Sequence, residues 1–135
     1  MSDYITCHVL DTTTGKPAAH MAVTLTLLST LPPNFPRSFS SSTNVDGRVT
    51  HWGVLNDTQL YASLDLAFLV EHAQKALKQG EQMIWSLKFD TGSYFGEGNT
   101  FWPEVELKFF VKPEEKHYHV PLLLTPWSFT TYRGS

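Results

Sequence analysis

A single cysteine, Cys7, stands in this chain, so no intrachain disulfide can staple the fold and a reducing compartment is expected. No apolar run approaches the ~20 residues that a membrane-crossing helix needs, so no membrane partner is expected. Positive charge is scarce: 10 Lys and Arg stand against 13 Asp and Glu, for a formal net charge of −3. The basic residues are also scattered, which leaves no electrostatic footprint for nucleic acid. The opening "MSDYITCHVL" lacks the charged leader and long apolar stretch of a secretory signal, and a cytoplasmic location is the expectation. The ending is not an SKL-type peroxisomal signal, so that compartment would require another address. Familiar catalytic signatures are missing too. "GEG" at Gly96 to Gly98 lacks the spacing of a phosphate loop, and Gly92-Ser93 sits in no G-x-S-x-G elbow.

What is present is a folding sequence. Hydrophobic residues make up 41% and charged residues 17% of 135 positions, which predicts one globular domain spanning 1–135. Apolar and polar residues alternate with period two along Val23, Leu25, Leu27, along Met83, Trp85, Leu87, Phe89, and along Val105, Leu107, Phe109, Val111. That is the pattern of half-buried strands. Tyr4 to Asp11, His117 to Leu124 and Ser128 to Tyr132 read as further strands. Turn-forming clusters separate them, including "DTTTGKP", "NVDGR" and "DTGSYFGEGN". The expected class is mainly β, an antiparallel sandwich. One stretch departs from it. Leu66, Leu69, Val70, Ala73 and Leu77 recur at helical spacing and predict one amphipathic helix over Ser63 to Gly80, packed outside the sheets. Ser63 or Asp65 would cap its start and Gly80 its end.

Several side chains could carry chemistry. His8 shares a strand face with Thr6 and Leu10, and taken alone it reads as a buried histidine with a backbone partner. Asp11 lies on the opposite face and reads as a turn former, and Cys7 as a core thiol. His117 and His119 flank Tyr118, so both imidazoles leave one face. With His8 they could form a zinc site, although no carboxylate or cysteine cluster accompanies them. Without metal, a histidine in a cleft is the natural general base near neutral pH. Arg48 follows the Asp46-Gly47 turn, which can hold a guanidinium rigidly for bidentate contact with a carbonyl or imide-like edge. The closing residues Tyr132-Arg133-Gly134-Ser135 run out of an apolar strand. A tail so anchored can place a phenol, a guanidinium and a carboxylate in a cleft, where most chain ends are loose.

In order along the chain, "HVLDTTTGKPA", "TNVDGRV", "FDTGSYF", "FWPEVELKFFV", "HYHVPLLLTPWSFTTY" and "YRGS" resemble the 5-hydroxyisourate hydrolases of the transthyretin-like family. The resemblance covers Ile5 to Ser135. It departs mainly at about Asp57 to Gln82, which is longer than usual and holds the proposed helix, and at Cys7, where a small residue is usual. The resemblance implies a transthyretin-like β-sandwich and a homotetramer, a dimer of dimers, with clefts at the dimer–dimer interface. It implies cofactor-free and metal-free hydrolysis of 5-hydroxyisourate to 2-oxo-4-hydroxy-4-carboxy-5-ureidoimidazoline, after urate oxidation and on the way to allantoin. His8, Arg48, His119, Tyr132 and Ser135 match the family's working residues, and Arg133 and Gly134 complete the tail that, with His8, Arg48 and Tyr132, would contact substrate. His117 falls outside the motif, as a group behind the site. The alternative is a transthyretin-like carrier without catalysis, for which so polar a set of residues has no use.

Overall fold

A computed structural model of the chain describes residues 3–29, 38–54, 66–78, 80–112 and 114–135. Ten strands and two helices lie among them. In order these are β1 (Ile5–Asp11), β2 (Lys16–Pro17), β3 (Ala22–Leu27), β4 (Ser38–Ser42), β5 (Arg48–Val49), β6 (Gly53–Val54), α1 (Leu66–Ala76), β7 (Met83–Phe89), α2 (Thr91–Phe95), β8 (Val105–Val111), β9 (Tyr118–Leu124) and β10 (Phe129–Thr131). The alternating segments form strands because every second side chain has an apolar core to enter.

Two sheets result. One runs β10-β9-β1-β2, with β5 also on β1; the other runs β6-β4-β3-β7-β8. Their facing surfaces bury Ile5, Cys7, Val9, Leu122 and Leu124 from the first sheet, and Val23, Leu25, Leu27, Trp85, Leu87 and Phe89 from the second. Each such side chain contributes roughly 1.5–3 kcal/mol relative to exposure. The expected mainly-β sandwich is therefore present. One pairing in it differs from the antiparallel expectation: β1 and β9 run parallel, with Thr6 opposite His119 and His8 opposite Pro121.

The predicted helix ends earlier than expected. It spans Leu66–Ala76 and buries Leu66, Leu69, Val70 and Ala73 into the core cluster; Ser63 and Asp65 lie outside the described residues. Gly80 does adopt a left-handed φ of 85°. It does so in the turn leading to β7, where Glu81 N–H donates to the Lys78 carbonyl, and not directly after the helix. The segment "DTGSYFGEGN", expected as a turn, contains α2, whose first turn is capped by the Asp90 carboxylate accepting from Ser93 N–H at 3.2 Å. Cys7 is a core thiol, fully buried, and desolvation raises its pKa to about 12. Asp11 is the expected turn former, accepting from Thr13 N–H at 3.0 Å while also receiving the Tyr94 hydroxyl at 3.0 Å.

Candidate active site

The site lies on the outer face of the first sheet. Residues of β1 and β9 that do not enter the core leave on this side: Thr6 and His8 from β1, His119 from β9, and His117 just before it. The period-two pattern dictates this, since Ile5, Cys7, Tyr118 and Val120 take the inward positions.

Arg48 reaches the same face through a turn fastened to β1. Asn44 Oδ1 accepts from Asp46 N–H at 2.9 Å and from Arg48 N–H at 3.0 Å. Gly47 occupies a φ of 74°, and its carbonyl accepts from Val9 N–H at 2.7 Å. Only glycine fits there: a Cβ would stand 2.3 Å from the Val9 carbonyl oxygen. The pairing that follows puts Arg48 directly opposite His8. His8 in turn donates from Nε2 to the Asp46 carbonyl at 2.8 Å, because a carbonyl can only accept. The turn thus fixes the tautomer and tilt of His8 as well as the position of Arg48.

His119 is held on two edges. Its Nδ1 lies 2.7 Å from Thr6 Oγ1. Its Cδ2 edge faces Gly134, whose N–H donates to the His119 carbonyl at 2.8 Å in an isolated bridge. The nitrogen left over is Nε2. Burial depresses the pKa of His119 first, and the Arg48 guanidinium, His117 and His8 depress it further. The pKa of His8 is lowered by burial and then by Arg48, with Asp46 opposing. Both rings are therefore biased towards the neutral form.

A shallow cleft of about 220 Å³ is lined by Thr6, Cys7, Arg48, Thr50, His117, His119 and Ser135. Of the residues expected from the sequence, Arg48, His119 and Ser135 meet in it, and His8 sits beside Arg48. Tyr132 and Arg133 do not line this cleft. They border a neighbouring one of about 530 Å³ with Tyr118, His119 and Phe110. The Arg133 guanidinium carbon stands 4.6 Å from the Tyr118 ring centroid, and its Nη2 lies 3.6 Å from the Glu115 carboxylate. Thr6 was not among the expected site residues. Its only signal in the sequence is that it shares a strand face with His8. Among the described residues, no three His, Cys, Asp or Glu side chains are grouped to hold a metal ion, and both His117 and His119 spend a ring nitrogen on Thr6.

The fold and this site define a transthyretin-type sandwich with a polar cleft on its outer sheet. The model of the HIUase/Transthyretin family matches residues 5–134, and the chain belongs to that family. It is 37% identical over 136 residues to the 5-hydroxyisourate hydrolase of Mus musculus, covering 99% of this chain and 97% of that one. It is 36% identical over 134 residues to the probable 5-hydroxyisourate hydrolase of Schizosaccharomyces pombe, covering 97% and 90%. The structure of Klebsiella pneumoniae 5-hydroxyisourate hydrolase shares the fold, with a TM-score of 0.64 at 23% identity and full coverage of both chains.

Proposed function

We propose that this protein hydrolyses 5-hydroxyisourate to 2-oxo-4-hydroxy-4-carboxy-5-ureidoimidazoline, a step of urate degradation towards allantoin, by means of a histidine-activated water. The observation that carries the reading is the convergence of Arg48, His119 and Ser135 on one cleft from three separate segments. Full-length relatives that bear the hydrolase name support it. A carrier of an apolar hormone has no need of this polar convergence.

Opening a cyclic acyl–nitrogen bond requires a placed water, a base for its proton and a donor for the developing oxyanion. His119 is the base: Thr6 occupies Nδ1, leaving Nε2 to take the proton, a contribution of order 10²–10⁴-fold. Arg48 faces the flat, hydrogen-bond-rich substrate and supplies paired N–H donors to the charge that develops on oxygen. His8 spends Nε2–H on the turn and offers its remaining nitrogen beside Arg48 to orient the water. Tyr132 and Ser135 present the hydroxyl groups of the tail. Arg133, stacked on Tyr118, anchors the tail that delivers Ser135 and stands where it can also reach substrate.

The assembly in this reading is a homotetramer, a dimer of dimers. The site faces outward on its sheet, and a second copy would roof it; light scattering tests the mass. The activity is tested with 5-hydroxyisourate generated freshly from urate by urate oxidase. Decay accelerated by the protein and insensitive to chelator supports the assignment. Decay at the spontaneous rate by folded protein overturns it.

A further inference from the structure

Thr6 is only 4% exposed, yet its hydroxyl serves two imidazoles: Oγ1 lies 2.7 Å from His119 Nδ1 and 3.1 Å from His117 Nε2. The parallel register of β1 and β9 creates this meeting by setting Thr6 opposite His119. A hydroxyl carries one proton, so between two neutral rings it donates to one and accepts from the other. Two directions of the chain are open. If His117 donates to Thr6 and Thr6 to His119, the proton of neutral His119 must sit on Nε2, and the nitrogen needed as base is blocked. If His119 Nδ1–H donates to Thr6 and Thr6 donates to His117, Nε2 of His119 keeps a free lone pair. Only the second direction is productive.

We propose that Thr6 is a positioning residue that holds His119 in its Nδ1–H tautomer by passing the hydroxyl proton to Nε2 of His117. The proposal rests on the reading of His119 as the base. It gives His117 a task although it lies outside the resemblance motif: it is the terminal acceptor of a His119–Thr6–His117 chain, placed at the exposed end just before β9. The charged and titratable groups that perturb His119 are Arg48 from β5, His117 and His8 from β1, and each disfavours a proton on it. The choice between its neutral tautomers therefore governs the site at neutral pH. A wrong tautomer is costly in general: in a serine-protease triad it lowers turnover by about 10⁴-fold.

The test is the nitrogen-15 NMR spectrum of the full chain labelled at histidine, with His119 identified by the loss of its signals in His119→Gln. Ring nitrogen shifts separate Nδ1–H from Nε2–H directly and require no substrate. The expected wild-type form is Nδ1–H. Thr6→Val, which keeps the shape and removes the hydroxyl, should move His119 towards Nε2–H and lower kcat at least about 10-fold with little change in KM. Thr6→Ser should restore both. A wild-type His119 in the Nε2–H form overturns the proposal, as does Thr6→Val with tautomer and kcat unchanged. If Thr6→Val does not fold, the wild-type tautomer and Thr6→Ser still decide. The tautomer is read without turnover, so failure of the hydrolase assignment remains distinguishable from failure of this one.

Discussion

Gly134 donates its N–H to the His119 carbonyl at 2.8 Å and lies so near the imidazole that a Cβ on it would stand 2.7 Å from His119 Cδ2. The same Cβ would meet Pro121 Cγ at 3.1 Å. Nothing in the Gly134 backbone calls for glycine; the contact does. Gly134→Ala should therefore displace the His119 ring while leaving the sandwich intact. Misplacement of a reacting group by about 1 Å can cost on the order of 10²-fold in rate, and we expect a loss of that size in kcat with an unchanged circular dichroism spectrum. Turnover at the wild-type rate would show that the ring yields without consequence.

The lowered pKa values of His8 and His119 set a pH dependence. A histidine held below its ordinary value of about 6.5 favours its neutral form in the fold. The base is then ready at neutral pH, and kcat/KM should rise through an inflexion below about 6.5 and stay flat above it. Stability follows the same sign: the contribution is complete above the unfolded pKa and is lost as pH falls through the depressed folded values. Arg48 is a named cause of both shifts, so Arg48→Met should raise the His119 pKa, read by NMR titration, while reducing turnover. A fall or no movement on losing that charge would contradict the electrostatic account.

Arg133 offers a way to separate anchoring from substrate contact. Its guanidinium stacks on Tyr118 and pairs with Glu115, which is half exposed, and exposed pairs and cation–π contacts contribute roughly 0.5–1 kcal/mol each. Arg133→Ala should loosen the tail and slow turnover severalfold. Glu115→Gln should produce a smaller loss in the same direction, because it weakens the same anchor. If Glu115→Gln is silent while Arg133→Ala is crippling, the guanidinium serves the substrate and not the tail.

Much of this architecture was legible in the sequence, and the gaps have physical reasons. β3, β7 and β8 announce themselves by alternation, because one face of each meets the core. β4 reads "SFSSS" and buries only Phe39 deeply, so its strand character comes from pairing with β3 and not from pattern. The two-residue strands β5 and β6 exist only through their partners. Periodicity also carries no direction, so the parallel β1–β9 pairing stayed hidden, and with it the meeting of Thr6 with His119. His8, Arg48 and His119 stood out by residue type and turn chemistry, but only the family resemblance drew them into one site. Thr6 did not stand out, because a threonine in a strand is ordinarily just a strand former.

Gly47 carries the turn that presents Arg48, and its replacement should be felt in stability as well as in the site. Its φ of 74° is strained for any residue with a Cβ, and that Cβ would collide with the Val9 carbonyl at 2.3 Å. Backbone strain of this kind costs about 1–3 kcal/mol. Gly47→Ala should lower the free energy of unfolding by that amount in urea titration and also reduce turnover, since the turn must swing away from β1 and take Arg48 with it. Wild-type stability would mean the turn tolerates the side chain, and the close approach to Val9 would not be what fixes the guanidinium.

The helix inserted between β6 and β7 should behave in the opposite way. Leu69 of α1 is fully buried, and Leu→Ala at such a site typically costs 2–5 kcal/mol through lost transfer energy and the cavity left behind. No described side chain of α1 lines the cleft of Arg48 and His119. One polar link from it to the rest of the domain is Gln74 donating to the Tyr4 hydroxyl at 3.4 Å, a hydroxyl that also donates to the Glu115 carbonyl. Leu69→Ala should therefore shift the urea midpoint clearly downward while the folded fraction keeps a near-normal kcat, read by correcting turnover for the population that remains native. If kcat per folded molecule falls as steeply as stability does, the helix reaches the site through Tyr4 and Glu115. The Arg133–Glu115 contact would then be the route, and Gln74→Ala should reproduce the loss without the cavity.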